Sequence, residues 1–159
     1  MEKAKEGYSS RMVAGFCWPW SKVPDENGDL INDIIIGDFK KPWNAHPDIR
    51  NLKENIPKAP KWAIDSNGIN QVGCIYTAQG FEFDYIGVIV GKDLIYNLDE
   101  SKWEGNKDAC YDVMVKKEKE NFTDLIKNTY RVLISRGMKG CYVWFEDEGA
   151  EEFFRSRIE

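Results

Sequence analysis

No apolar run in the 159 residues approaches the roughly 20 that a bilayer crossing needs. The opening stretch, Met1-Glu-Lys-Ala-Lys-Glu6, lacks the basic-then-apolar pattern of a secretion signal. A cytoplasmic chain with no membrane contact is therefore expected. Histidine occurs once, at His46, and Cys17, Cys74, Cys110 and Cys141 form no CxxC pair. No metal site is expected from such a set. The phosphate cradle GxxxxGK[ST] has no match either, so the chain cannot by itself hold the phosphates and magnesium of a P-loop enzyme. Positive charge is in deficit: 22 Lys and Arg against 27 Asp and Glu leave a net charge of −5. That excludes a protein held on nucleic acid by bulk attraction, though not one with a local basic track.

What is present is a core. Apolar residues make up 42% of the chain, with six Trp, seven Tyr and eight Phe. A chain of this length buries roughly 70% of its extendable surface, enough for one domain without staples. Residues 1–9 read as a loosely attached or disordered start, and 10–159 as a single domain. Apolar runs predict strands at 11–16, 33–38, 71–76, 85–90 and 141–145, with a short edge strand at 93–96. The Ile34-Ile-Ile36 run reads as buried on both faces. Residues 40–70 hold four of the six prolines and read as an extended excursion, with at most a short helix near 48–54. From Asn121 as cap, Phe122, Leu125, Ile126, Thr129 and Leu133 mark one face of a helix that Gly137 ends. A short helix closes the chain from Gly149 to Ile158.

Apolar strands alternating with amphipathic helices predict an α/β fold with a mostly parallel sheet. Ligands of such sheets sit outside the C-terminal strand ends. That rule draws attention to the turn after Tyr76, the segment after Asp38, and Ser135-Arg136. In the turn Thr77–Asp84, Gly80 permits a sharp bend, and Gln79 and Glu82 can bracket a ligand with hydroxyls or phosphates. The plainer reading is a solvated turn. Arg136 suits a phosphate, but a cation at a helix C-terminus also complements the helix dipole. Asp25, Asp38 and Lys40 form a rival constellation, that of a magnesium nuclease of the PD-(D/E)xK kind. Phe16, Trp18, Trp20, Trp43 and Trp62 are either a stacking platform or the roof of a core.

Two segments acquire meaning together. Gln71-Val-Gly-Cys-Ile-Tyr-Thr-Ala-Gln-Gly-Phe-Glu-Phe-Asp-Tyr-Ile-Gly-Val-Ile-Val90 resembles motif V of superfamily 1 helicases. Asn128-Thr-Tyr-Arg-Val-Leu-Ile-Ser-Arg-Gly-Met-Lys-Gly-Cys-Tyr-Val143 resembles their motif VI. With Arg11-Met-Val-Ala-Gly-Phe-Cys-Trp-Pro-Trp20 and Ile36-Gly-Asp-Phe-Lys-Lys-Pro-Trp43, the string is similar to the Schlafen group 3-like DNA/RNA helicase domain. The resemblance implies a three-layer RecA-like second lobe, of P-loop NTPase type but without the P-loop. It implies ATP as ligand, with magnesium held mainly by an N-terminal P-loop lobe outside this chain, and single-stranded DNA or RNA as partner. Arg136 falls at the motif VI arginine that reaches the γ-phosphate, and Glu82 at the acid that binds the ribose. Gln79 and Gly80 fall in the nucleotide-contacting loop, and Thr77 near the strand's phosphates. Ser135 stands where threonine is usual. The isolated chain is then expected to be inactive, half of a helicase or translocase. A non-catalytic nucleic-acid- or protein-binding module on the same fold is the alternative.

Overall fold

The computed structural model describes residues 2–158. In chain order, α1 (Glu2–Lys5) leads into β1 (Ser10–Ala14). The hairpin β2 (Ile34–Ile36) and β3 (Phe39–Lys41) follows, and the excursion after it holds two 3-10 turns. Next come β4 (Val72–Gly73), α2 (Ile75–Ala78) and β5 (Phe83–Val90), then a second hairpin, β6 (Leu94–Asn97) with β7 (Lys102–Gly105). The remaining elements are α3 (Val113–Lys116), α4 (Phe122–Ile134), β8 (Gly137–Phe145) and α5 (Glu148–Ile158). The central sheet has the order β4-β1-β5-β8 and is parallel throughout, with Met12 beside both Val72 and Gly87, and Val88 beside Val143. This is the α/β architecture with a parallel sheet that the alternation predicts, and it agrees with the RecA-like fold that the resemblance implies.

Two cores lie on the sheet's two faces. On one, Val13, Ile86, Val88 and Val90 meet Ala78, Ile126, Tyr130 and Leu133 of the helices. Each such aliphatic side chain contributes about 1.5–3 kcal/mol by leaving water. On the other, Ala14, Val72 and Ile89 meet Ile34 and Trp43. The Trp18-Pro19-Trp20 segment lies over that second core. Trp43 donates its indole N–H to the Pro19 carbonyl at 2.8 Å, and Trp20 donates to the Asn44 carbonyl at 2.8 Å. With both indole donors spent on backbone and Trp43 buried, Phe16, Trp18, Trp20 and Trp43 form a roof, whereas Trp62, expected among them, lies in the core on the other face. Beyond it the face lies open over β5 and β8, where Tyr142 and Trp144 are exposed.

Arg11 is buried in β1 and forms no ion pair among the described residues, with the Asp65 carboxylate only near enough to favour its charge. Its three nitrogens donate to carbonyls instead: Nε to Trp62 at 3.2 Å, Nη1 to Ser10 at 2.8 Å and Nη2 to Asp65 at 2.6 Å. The excursion is thereby fastened to the sheet. The chain start is fastened too. Ser9 donates its N–H and hydroxyl to the Asp84 carboxylate, and Tyr8 packs edge-on against Tyr85.

Several expectations change. The Ile34–Ile36 strand is not in the parallel sheet; it pairs antiparallel with β3, and Ile35 is exposed. The strand expected at 71–76 stops at Gly73. The Thr77 hydroxyl accepts the Cys74 N–H at 3.0 Å and so starts α2. No helix forms near 48–54. Asn121 occupies the cap position of α4 without a side-chain cap bond. The buried stripe of α4 runs through Tyr130, leaving Leu125 exposed. Strand β8 begins at Gly137, immediately after the helix, and the charged stretch after residue 98 contains β7.

Candidate functional site

The motif-like segments meet at the opposite edge of the sheet from the one the general rule favours. Turn 79–82 leads into the start of β5, and Ser135-Arg136 leads into the start of β8, its neighbour. The Phe83 N–H donates to the Arg136 carbonyl at 2.8 Å, which locks the two turns side by side. This is the N-terminal edge. Turn 79–82 and Ser135-Arg136 thus lie at the edge opposite to the one at which the rule placed them.

At the C-terminal edge, the space between the ends of β1 and β5 is filled by the protein itself. The Tyr130 phenol donates to Asp93 Oδ1 at 2.6 Å and accepts from the Gly91 N–H at 2.9 Å, with Cys17 Sγ 3.9 Å away. Tyr130 and Asp93 are both buried. Burial pushes the Asp93 carboxyl above its ordinary range, partly opposed by the Tyr130 hydrogen bond. Gly15 is obligatory beside this plug, because a Cβ there would fall 1.8 Å from the Tyr130 oxygen. No sequence signal marked the plug, whose members come from three distant segments.

At the N-terminal edge, Gln79, Gly80 and Glu82 are exposed. Gly80 has φ +81°, a left-handed conformation that glycine adopts without strain. Nothing lies within 4 Å of the place its Cβ would take, so a ligand can approach the backbone closely. Arg136 is half-buried. Its Nε donates to the Val132 carbonyl at 3.1 Å and its Nη2 to the Ser135 hydroxyl at 3.0 Å, while that hydroxyl donates to Val132 at 2.9 Å. The guanidinium thus closes its own helix end. Nη1 makes no hydrogen bond among the described residues and remains available to an anion.

Thr77 lies apart from these four. Its hydroxyl bonds Cys74 and donates to Asn44 Oδ1 at 3.0 Å, at the C-terminal end of β4. Its geometry is that of a helix cap. Beside it, the exposed Tyr76 gives its hydroxyl to Asp112, whose other oxygen caps α3.

The rival nuclease residues are occupied or scattered. Asp25 Oδ1 accepts from the N–H groups of Asn27 and Asp29, shaping its own turn, whereas Asp38 and Lys40 sit on the β2–β3 hairpin. Among the described residues no cluster of three His, Cys, Asp or Glu could hold a metal ion.

Comparison with known proteins gives two findings. The sequence matches the family described as Schlafen group 3, DNA/RNA helicase domain, over residues 1–147. It is also 32% identical to an uncharacterized protein of Saccharomyces cerevisiae, YPL245W, across 95% of this chain and 32% of the yeast protein. The chain thus spans about a third of that relative's length. No solved structure matches.

Proposed function

Because the chain belongs to the Schlafen group 3 DNA/RNA helicase domain family, we propose that it is the C-terminal RecA-like lobe of an ATP-dependent helicase or translocase. The observation that supports this most is the bond from Phe83 to Arg136, which brings Gln79, Gly80, Glu82 and the one open edge of a guanidinium to a single rim of the sheet. In this reading Glu82 accepts from the nucleotide ribose, and Gln79 and Gly80 line its path. Arg136 reaches across a closing cleft to the γ-phosphate, where a planar, permanently charged group stabilises transferring charge. ATP and its magnesium would be held mainly by a P-loop lobe outside this chain. The site residues fit that division, since they offer donors and the acceptors of Gln79 and Glu82, and no metal-binding cluster occurs among the described residues.

The bonds Arg136 makes to Val132 and Ser135 matter here. Nη1 can meet a phosphate while Nε and Nη2 stay on Val132 and Ser135, which hold the guanidinium in place, and its bond to an anion is of the strong, charge-assisted kind. Closure of the lobes then carries the finger into place, which couples turnover to motion.

The test uses the full-length protein that contains both lobes. Arg136→Ala should lower kcat for ATP by about a thousandfold or more, with an unchanged unfolding midpoint. Turnover within threefold of the parent would sink the assignment and favour the non-catalytic module.

A further inference from the structure

On the helical side of the sheet, α4, α5 and the β6–β7 hairpin enclose an apolar pocket of about 160 Å³. Trp103, Phe145, Phe153 and Phe154 line it with several aliphatic neighbours, and the partly buried Lys127 and the exposed Arg131 line it too. Arg157 stands beside them, its Cζ 5.1 Å from the centre of the Phe153 ring. In a chain of net charge −5 this is a concentration of positive charge. Lys127 is partly answered by Asp124 at 3.5 Å. Arg131 bonds only Asn128, at 3.2 Å, and Arg157 pairs with no carboxylate among the described residues.

We propose that this pocket docks an acidic polypeptide segment, one bulky apolar side chain entering between Trp103, Phe153 and Phe154 while flanking carboxylates meet Arg131 and Arg157. Two observations choose this occupant over a nucleic-acid strand. The pocket's rings are half-buried and turned edge-to-face on one another, Trp103 to Phe153 at 5.2 Å and 82°. Set at steep angles to one another, Trp103, Phe153 and Phe154 form a socket rather than the run of stacking platforms that strand-binding surfaces provide. Its volume suits a single side chain, the way interfaces seat an anchor residue. The arginines supply the planar forks that bind carboxylates two bonds at a time. This site is separate from the sheet edge bearing Arg136.

The test titrates the 159-residue chain into a fluorescein-labelled peptide, Asp-Glu-Glu-Phe-Glu-Asp, and reads anisotropy at 50 and 200 mM salt. Saturable binding that weakens at the higher salt is expected. Replacing the peptide's Phe by Ala should cost about tenfold, and so should the double variant Arg131→Glu, Arg157→Glu, whose side chains lie at the surface. The milder Arg131→Gln, Arg157→Gln should fall between, guarding against a folding defect in the reversal. Absence of binding at 50 mM salt overturns the proposal, as does affinity indifferent to the peptide's Phe or to both arginine variants. A labelled 15-mer of deoxythymidine that binds more tightly than the peptide, and loses affinity in the same variants, would assign the patch to nucleic acid and equally overturn it.

Discussion

Tyr130→Phe isolates the plug at the C-terminal sheet edge, because it removes one oxygen and leaves the ring. That oxygen donates to Asp93 and accepts from Gly91. Losing the hydrogen bond to Asp93 costs about 0.5–3 kcal/mol according to the carboxyl's charge, and stranding a buried N–H costs about 1–3 kcal/mol. The two losses share one site, so a total near 3 kcal/mol is expected at pH 8. With a urea m-value of about 2 kcal/mol/M, the midpoint should fall by about 1.5 M. The cost should also depend on pH. Burial raises the folded-state Asp93 carboxyl above its unfolded value, which is about 3.9. Its contribution is therefore most favourable at low pH and declines as pH rises through the folded value. Without the phenol to support the carboxylate, the folded value rises further and the decline extends to higher pH. The variant's deficit should thus grow as pH rises through the parent's folded value. Equilibrium urea unfolding across a pH series decides it. A deficit below about 1 kcal/mol at pH 8, or one that shrinks as pH rises, would refute the plug as described.

Thr77→Val should cost about 1–2 kcal/mol through the lost cap on α2, measured by the same unfolding assay; no loss would contradict the cap. Gly73→Ala places a Cβ 2.2 Å from the buried Trp62 ring, so soluble folded protein should not be recovered, and a native circular dichroism spectrum would contradict the packing. Desolvation by the neighbouring sheet pushes the thiol of the exposed Cys141 up to about 11. Its alkylation by iodoacetamide, followed by mass spectrometry, should keep accelerating between pH 8 and 10; a plateau near pH 9 would show an ordinary thiol.

The parallel strands and the main helix were legible because their patterns are local. The Val88–Val90 run and the spacing of Phe122, Ile126 and Leu133 need no distant partner to be read. What escaped was set by side chains meeting across the chain. Thr77 reads as a polar loop residue until Asn44 is found beside it, and then it is a cap. The Ile34–Ile36 run has the composition of a central strand, yet Gly37-Asp38 turns it back on Phe39. Of the candidate site, residue types and neighbours in sequence pointed to Gln79, Gly80, Glu82 and Arg136. Which sheet edge they share depended on the length of α2, a single turn that returns the chain to the start of β5. The plug of Tyr130, Asp93 and Cys17 had no linear signature at all.

Arg11 has a consequence for redesign. Two of its three carbonyl partners, Trp62 and Asp65, belong to the proline-rich excursion, which looks on sequence like a dispensable insertion. Cutting it out would leave a cation inside β1 with no substitute partner, and an unpaired buried charge is costly enough to unfold a small domain. The excursion is therefore tethered to the strand it interrupts. A shortened version of this lobe becomes feasible only if Arg11 is exchanged for an apolar residue in the same step.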